Sequence, residues 1–508
     1  MAITEGRLIM NGLRSAVSKG KRGRMGTVET SASTRKRSKQ AVKEEDTTPP
    51  VPQSSFHTFS DPADVVQLRS QLLSWYDKEK RELPEIFMFV LVWVSEIMLQ
   101  QTQVATVKEY YKRWLKKWPT VQDLAAATIE EVNQMWSGLG YYSRGRRLHE
   151  GAQKVVLELK GRMPRTVDDL LKQLPGVGRY TAAAVGSIAL GQVTGAVDGN
   201  VIRVLCRVRA IGADSTRPTV TEALWNLSNL LVDPERPGDF NQALMELGAQ
   251  VCTPKGPLCI KCPVQSHCRS YHKEQNTAKL LDRKGSNLPD IEDCINSGAC
   301  PLCPSEPWNN DLGVQNFPRK PAKKAPRVER TLTCVVTRTR EEANEEFLLL
   351  QRPNKGLLAG LWEFPSLLLQ EENSVEEQKK LLCNEISTTL RTCLSETLIR
   401  YVGEVVHIFS HIHQTYVVYS LCLKEQDTQT HTGKTQWLDR SALQEAAVST
   451  GLKKVCFIRC LNVCEFLIMF SRPSFMFTIL QILKLFDSAD GLEDKNSKVS
   501  FYLVFQLD

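Results

Sequence analysis

The sequence predicts a multidomain protein in which an all-α domain is followed by an α+β domain. Its 508 residues, of which 42% are hydrophobic, exceed the length of one ordinary domain. Over residues 59–277, apolar residues recur at helical spacing between short turns of Gly, Pro and Thr. Over residues 329–456, β-branched and aromatic runs surround one helical stretch. The change of hydrophobic period therefore separates two domains of different class.

The basic residues are concentrated at the start of the chain. Residues 1–43 hold 11 Lys or Arg against 2 Glu, whereas the whole chain carries a net charge of +8. The remainder is close to neutral, and we expect residues 1–58 to form a disordered basic tail. Its acid-poor start is typical of a mitochondrial presequence, and residues 35–39 are typical of a nuclear signal. We therefore expect the protein in the nucleus and the mitochondrion, with a plain solvated tail as the alternative.

The first domain opens on a clear helix start. Asp61 offers a capping side chain directly before Pro62, which suits the first turn of a helix. Val65, Leu68 and Leu72 then repeat at helical spacing. We expect the ordered part of the chain to begin here.

Two further segments have the composition of connections rather than of cores. Residues 278–328 are rich in Pro, Asn and Lys, and we interpret them as an interdomain connector. Residues 457–508 are apolar, but Glu465, Arg472 and Pro473 interrupt them before they could span a bilayer. We expect a divergent apolar tail there and no membrane partner.

Seven of the 15 cysteines fall into two tight clusters. Because no secretory signal is recognisable, such clusters are more typical of a metal site than of disulfides. The first cluster places four thiols within 17 residues, at Cys252, Cys259, Cys262 and Cys268. Four thiolates suit either zinc or a 4Fe–4S cluster, and sulfur ligation alone does not distinguish the two.

A glycine-rich turn from Leu174 to Tyr180 lies between an apolar helix and a helix of small residues. Gly176 and Gly178 free the backbone to turn tightly, and the next helix then directs unpaired amides at a phosphate. Such a hairpin binds DNA without reading its sequence. A plain helix–helix turn is the alternative for the glycine-rich pentapeptide taken alone.

Together these features resemble the endonuclease III superfamily of base-excision glycosylases. The resemblance rests on the spacing of the four thiols, on the hairpin, and on the segment Val197–Asn200 that follows it. It implies a helix-hairpin-helix domain, a 4Fe–4S cluster on the four thiols, and Asp198 as the acid of the site. Members that also cut the DNA backbone carry a lysine where this chain has Tyr180, and a tyrosine cannot form a Schiff base. We therefore expect N-glycosidic hydrolysis alone.

Two more segments, Val94–Gln103 and Gly138–Arg144, are similar to adenine DNA glycosylases, the MutY group, and to its eukaryotic members in particular. This resemblance implies that the substrate is adenine mispaired with 8-oxoguanine or guanine in double-stranded DNA. Adenine leaves only when its ring is protonated, and the sugar becomes an oxocarbenium ion that needs stabilisation. The site therefore needs both an acid and a carboxylate.

The resemblance also assigns roles at the reacting bond. Glu96 is expected to protonate adenine N7 and later to activate water, which requires a pKa raised by burial. Asp198 is expected to remain ionised near C1′ as a stabiliser or transient nucleophile. Tyr180 and Asn200 match positions that support this pair.

Further positions match DNA contacts of the group. Gln101 and Tyr141 match side chains that wedge into the base stack around 8-oxoguanine, which lowers the cost of extruding adenine. The implied DNA contacts of the helical domain are Leu99, Gln100, Gln101, Tyr141, Gly176 and Gly178.

The second cysteine cluster, Cys294, Cys300 and Cys303, has too few ligands to close a tetrahedral zinc site. Mammalian members of the group are thought to complete such a site with an N-terminal histidine, which His57 resembles. The resemblance implies zinc in the connector. Three reduced thiols in a flexible segment are the alternative.

The α+β domain is similar to the MutT-like, or Nudix-like, C-terminal domain of MutY proteins. The similarity lies in Leu357–Pro365 and in Phe409-Ser410-His411. Because the carboxylate-rich metal motif of nucleotide hydrolases is absent from the sequence, we expect recognition rather than catalysis. Phe409, Ser410 and His411 are implied to contact 8-oxoguanine.

The chain also departs from the group in two places. After Leu83-Pro84 an apolar run replaces the tryptophan and arginine that help to wall the adenine pocket, which leaves open a catalytically impaired, mismatch-binding form that recruits partners. The C-terminal tail lacks the paired aromatic residues of a clamp-binding peptide, so we do not expect sliding-clamp binding by that route. We expect the protein to be a monomer that interacts with other base-excision and mismatch-repair proteins.

Overall fold

The computed structural model describes most of the chain between residues 55 and 468. The described residues are 55–80, 89–282, 294, 300–319, 325–339, 345–353, 355–370, 373–409, 411–424 and 434–468. The predicted targeting tail up to residue 54, the departing segment 81–88 and the tail from residue 469 onward lie outside them.

Helices build the first domain, as the sequence predicts. In chain order they are α1 (Pro62–Glu79), α2 (Phe89–Leu99), α3 (Val104–Lys117), α4 (Val121–Ala126), α5 (Ile129–Trp136), α6 (Ser143–Leu157), α7 (Val167–Gln173), α8 (Arg179–Leu190), α9 (Gly199–Val208), α10 (Pro218–Leu231), α11 (Pro237–Gln250) and α12 (Arg269–Asp282). Local sequence sets many of their ends. The Asp61 side chain accepts from the Ala63 N–H at 2.8 Å and starts α1, and Thr120 and Thr128 form capping boxes that start α4 and α5.

The helices pack around two separate cores. The first lobe buries apolar side chains of α1, α9, α10 and α11, and the second lobe buries those of α2 to α7. Helix α8 lies between them: Ala183 and Ala184 face the first core, while Ala182 and Val185 face the second. Small side chains let α8 pack closely on both sides. Tyr180, at the start of α8, is therefore placed at the seam between the lobes.

The second domain is the predicted α+β domain. Its strands are β1 (Arg327–Thr339), β2 (Glu345–Gln351), β3 (Trp362–Glu363), β4 (Ser366–Leu369), β5 (Arg400–Ile408), β6 (Ile412–Lys424) and β7 (Thr435–Asp439). Its helices are α13 (Val375–Leu390), α14 (Arg440–Glu445) and α15 (Thr450–Ile468). The main order across the mixed sheet is β3-β2-β1-β6-β5, with β1 and β6 parallel and the other neighbours antiparallel. Both faces of the sheet are covered by buried apolar clusters.

Several helices begin before, or continue past, the domain boundaries that composition predicts. Ser55–His57 already forms a turn of 3-10 helix, before residue 59, and α12 and α15 run through the boundaries expected at residues 277 and 456. Composition changes gradually, whereas a helix ends only where its capping or packing ends. Within the described residues, no helix combines the length and apolar character needed to cross a membrane.

The two domains contact each other through the loop before β3 and through the segment between α14 and α15. Leu361 of that loop, only 1% exposed, is buried in the core of the second helical lobe. Arg146 donates to the Ala359 carbonyl at 2.6 Å, and the Tyr142 hydroxyl donates to the Val448 carbonyl at 3.3 Å. The second domain is thereby fixed next to the start of α6.

Replacing Leu361 with Ala is expected to lower the free energy of unfolding by about 2–4 kcal/mol, because a cavity opens in a shared core. Leu357→Ala, in the same loop but 38% exposed, is the matched control and should change it by less than about 0.5 kcal/mol. Chemical unfolding followed by tryptophan fluorescence measures both variants. Equal effects of the two substitutions would mean that Leu361 does not hold the domains together.

Candidate active site

A buried carboxyl group lies at the seam between the two helical lobes. Glu96, on α2, is 7% exposed, and Tyr180, at the start of α8, donates its hydroxyl to Glu96 Oε2 at 2.8 Å. The same hydroxyl contacts the Met245 sulfur at 3.6 Å. Helix α2 belongs to one lobe and Met245 packs against the other, so the packing of both lobes fixes this pair.

Burial changes the acidity of Glu96. Desolvation raises its pKa to about 7; the hydrogen bond from Tyr180 opposes the shift and the nearby Asp198 carboxyl adds to it. The carboxyl group is therefore about half protonated near neutral pH. A group in that state is suited to donate a proton and later to accept one.

Asp198 and Asn200 lie at the start of α9. Asp198 caps this helix by accepting from the Val201 N–H at 2.7 Å, and Asn200 donates to its other oxygen at 2.9 Å. Burial raises the pKa of Asp198, while the Val201 and Asn200 donors and the Arg203 charge act in the opposite direction. Hydrogen-bond donors thus surround this carboxyl group and oppose the rise in its pKa that burial causes.

Arg203 connects this pair to the cysteine loop. Its guanidinium donates to Asn200 Oδ1 at 2.8 Å and to the carbonyls of Gly248 and Cys252, both at 2.7 Å. The position of Asn200, and through it Asp198, therefore depends on the fold of the loop that carries Cys252.

The two predicted wedge residues share an unusual backbone conformation. Gln101 has φ 55° and Tyr141 has φ 48°, the left-handed region that side chains other than glycine rarely adopt. Both side chains are exposed. Two loops, one after α2 and one before α6, thus present these side chains to solvent in conformations that the surroundings must hold.

The hairpin has the geometry that its glycines require. Gly176 has φ 79°, and a Cβ there would lie 2.9 Å from the Arg147 Cβ. Gly178 caps α8 without a side-chain hydrogen bond, which leaves the first amides of α8 available to a phosphate. Gln100 faces the protein instead, donating to the Thr181 hydroxyl at 3.1 Å, and Leu99 is partly buried.

The four thiols of the first cluster line one cavity. Cys252, Cys259, Cys262 and Cys268 surround it together with Arg207, Val204, Val251, Val264 and Tyr271. Arg207 donates to the Cys252 sulfur at 3.3 Å and to the Thr253 carbonyl at 2.8 Å. A cysteine set around an apolar cavity, with a cation beside the sulfurs, fits a bound metal cluster and is consistent with 4Fe–4S.

The side chains of the second cysteine cluster lie close together, and His57, the histidine expected to complete the set, lies beside them. One ligand atom from each of His57, Cys294, Cys300 and Cys303 lies within 4.8 Å of the other three. The Nδ1 atom of His57 contacts the Arg209 carbonyl oxygen at 3.0 Å. A metal-bound histidine typically makes such a contact with the ring nitrogen that does not bind the metal. This quartet fits a tetrahedral zinc ion.

The predicted recognition segment forms a strand connection in the second domain. Here β5 and β6 form a hairpin closed by a 2.8 Å bond from the Phe409 N–H to the Ile412 carbonyl. Phe409 packs edge-on against His407 with ring centres 4.5 Å apart, and His411 is exposed. Ser410 lies outside the described residues.

Sequence reasoning missed the buried arginines. Arg144 and Arg207 are buried and Arg203 is partly buried, and each contacts a predicted site element; arginine is usually a surface residue, and no local pattern marks one that lies inside. The available signal was position: Arg144 closes a motif segment, and Arg203 follows Asn200 by one helical turn.

Comparisons with known proteins agree with this geometry. Residues 94–229 match the HhH-GPD superfamily of base excision DNA repair proteins, and residues 335–456 match the NUDIX domain. The chain is 56% identical over 417 residues to the adenine DNA glycosylase of Mus musculus, covering 79% of each chain. The chain belongs to the adenine DNA glycosylase family.

Other members of the family are similar over comparable lengths. The Homo sapiens adenine DNA glycosylase is 56% identical over 416 residues, which are 79% of this chain and 76% of that one. The Schizosaccharomyces pombe enzyme is 39% identical over 430 residues, 78% of this chain and 90% of that one. The protein is thus a base excision repair enzyme that acts on N-glycosyl bonds, and the predicted fold class is confirmed.

Glu96→Gln is expected to stabilise the protein at neutral and alkaline pH. Folding raises the pKa of Glu96 from 4.5 to about 7, so part of the stability of the wild type is lost as pH rises from 4.5 through 7, while a neutral amide has no such loss. The advantage of the variant should grow from below about 1 kcal/mol at pH 5 to about 3 kcal/mol at pH 9.

Urea unfolding at both pH values measures this difference. Glu150→Gln, at an exposed position on α6, is the control and should show a small, pH-independent change. An equal advantage of Glu96→Gln at pH 5 and pH 9 would contradict the raised pKa of Glu96.

Proposed function

We propose that this enzyme removes adenine mispaired with 8-oxoguanine or guanine in duplex DNA, by hydrolysis of the N-glycosidic bond alone. The observation that carries the proposal is the pairing of two buried carboxyl groups that differ in their hydrogen-bond donors. Burial raises the pKa of both groups, to about 7 at Glu96, but at Asp198 the Val201 and Asn200 donors and the Arg203 charge oppose the rise. Separated acid and base roles require such a difference.

The two groups act at opposite ends of the bond that breaks. Glu96 protonates adenine N7, which makes the neutral base a leaving group, and Asp198 stabilises the positive charge that develops at C1′. After adenine departs, Glu96 accepts the proton of the attacking water. The Tyr180 hydroxyl and the Asn200 amide hold the two carboxyl groups in place.

Tyr180 also supports hydrolysis without backbone cleavage. A lyase needs an amine at the site to form a Schiff base, and the residue that contacts Glu96 from the start of α8 is a phenol. Burial, followed by the neighbouring Glu96 and Asp198 carboxyl groups, raises the pKa of Tyr180 well above 10, so its hydroxyl remains a proton donor.

We infer a 4Fe–4S cluster on the first cysteine set and zinc on the His57 quartet. The cluster would fold the loop that holds Arg203 in place, and zinc would tie the segment around His57 to the connector. In the second domain, Phe409, Ser410 and His411 would contact 8-oxoguanine. We also propose that the protein is located in the nucleus and the mitochondrion. We propose that it is a monomer and that it interacts with other repair proteins, but not with a sliding clamp through the C-terminal tail.

Single-turnover excision tests the reaction. Enzyme in excess is incubated with a duplex carrying adenine opposite 8-oxoguanine, and alkali then reveals abasic sites as strand breaks. Glu96→Gln and Asp198→Asn should each slow release by about a hundredfold or more, and Glu150→Gln should match the wild type. Strand breaks before alkali would contradict hydrolysis alone. Intact DNA from protein that still binds the mismatch would support the mismatch-binding form instead.

The rate should also depend on pH in one direction. Because Glu96 must be protonated and its pKa is about 7, release should be constant at mildly acidic pH and fall up to tenfold per pH unit above 7. Single-turnover rates between pH 6 and 9 provide the test. A rate that rises over this range would exclude Glu96 as the acid.

His57→Ala should remove one equivalent of zinc per chain while leaving the iron content unchanged, because the two cysteine sets are separate. Elemental analysis of purified protein measures both metals. Cys393→Ser, at an exposed cysteine, is the control and should retain both. Unchanged zinc in His57→Ala would contradict the quartet.

A further inference from the structure

The Arg144 guanidinium occupies the space between the two loops that carry the wedge residues. Arg144 is 7% exposed and lies in the first turn of α6. Its acceptors within the described part of the chain are six backbone carbonyls and one hydroxyl. They are the carbonyls of Ile97, Met98, Gln100, Leu139, Gly140 and Tyr141, and the Thr102 hydroxyl.

On one side Arg144 holds the end of α2. Its Nη1 donates to the carbonyls of Ile97 at 3.2 Å, Met98 at 2.7 Å and Gln100, and its Nη2 donates to the Thr102 hydroxyl at 3.0 Å. A cation at this end of a helix complements the helix dipole and satisfies carbonyls that have no partner in the helix.

On the other side Arg144 holds the loop before α6. Its Nη2 donates to the Gly140 carbonyl at 3.0 Å and its Nε to the Tyr141 carbonyl at 3.4 Å. The guanidinium also lies 5.4 Å from the ring centres of both Trp136 and Tyr141. The Trp136 indole in turn donates to the Gly140 carbonyl at 3.0 Å.

These contacts bracket the two left-handed residues. Arg144 donates hydrogen bonds to Gln100 and Thr102, which flank Gln101. It also donates to the carbonyl of Tyr141 and to that of the preceding residue, Gly140. A left-handed conformation outside glycine persists only where the surrounding structure fixes it. A planar group with five donors in fixed directions can fix two loops at once.

We propose that Arg144 is a positioning residue that sets Gln101 and Tyr141 as a two-sided wedge in the free enzyme, before DNA binds. This inference rests on the proposed function, because a wedge matters only if a base is extruded. Because both loops are fixed in advance, the enzyme loses no conformational entropy in ordering the wedge when the adenine is unstacked. The role requires the shape of the guanidinium and not only its charge.

Removing a buried arginine also weakens the fold, so the test must separate the wedge from general damage. The full-length enzyme is compared on two duplexes with adenine opposite 8-oxoguanine. One duplex is fully paired on both sides. In the other, mismatches flank the adenine and already unstack it, so the wedge is not needed.

Arg144→Lys should slow single-turnover release from the paired duplex about tenfold to a hundredfold, and from the unstacked duplex by less than about threefold. Arg162→Lys, at an exposed position, is the matched control and should be unaffected on both. Equal slowing on the two duplexes, or no slowing on either, would overturn the proposal.

A gentler pair of variants avoids any failure to fold. Thr102→Val removes one acceptor of Arg144 and should slow release from the paired duplex about threefold, while Thr102→Ser keeps the hydroxyl and should restore the rate. Loss of rate in both, or in neither, would contradict the contact between Arg144 and Thr102 as a cause.

The fluorescence of 2-aminopurine in place of the adenine reports unstacking even without excision. The wild type should increase the fluorescence on binding, and Arg144→Lys should give less than about half of that increase. If the wild type increases the fluorescence but releases no adenine, the proposed function fails. The ratio of the fluorescence increase with Arg144→Lys to that with the wild type still tests whether Arg144 positions the wedge. An equal increase with Arg144→Lys, or no increase with the wild type, overturns the wedge.

Discussion

The burial of one carboxyl group is the constraint on which the rest of this structure depends. Glu96 is enclosed where two helical lobes meet, with the Tyr180 hydroxyl as its hydrogen-bond donor. Burying an ionisable group opposes folding unless its neutral form is favoured, and the extensive apolar cores on both sides offset that cost. The same burial raises the pKa of Glu96 to about 7, so the feature that opposes folding also gives this group the acidity that its proposed role requires.

The surrounding elements hold this group at the seam between the two lobes. The small residues of α8 bring the two lobes together and place Tyr180, and the Asp198 cap of α9 places the second carboxyl group nearby. Three arginines then connect the site to its surroundings: Arg144 and Arg207 are buried, and Arg203 is partly buried. Arg203 and Arg207 connect it to the cysteine loop, and Arg144 connects α2 to the loop of Tyr141. A guanidinium whose partners are mostly backbone carbonyls recurs as the means of fixing loops that have little secondary structure of their own.

Much of this arrangement could be predicted from the sequence, because the decisive signals are local. The Asp61 cap, the period change near residue 329 and the motif around Glu96 each lie within a few neighbouring residues. The rest depends on tertiary contacts. The left-handed backbone of Gln101, the partners of Arg144 and the approach of His57 to cysteines more than 230 residues away have no local signature.

The most direct test is the pKa of Glu96 itself. Difference infrared spectroscopy of the wild type against Glu96→Gln isolates the carboxyl band of this one residue, and a pH titration follows its protonation. A midpoint near 7 is predicted, because burial opposes the charged form. A midpoint near 4.5, the ordinary value for glutamate, would mean that Glu96 is ionised at neutral pH and would contradict its role as the acid.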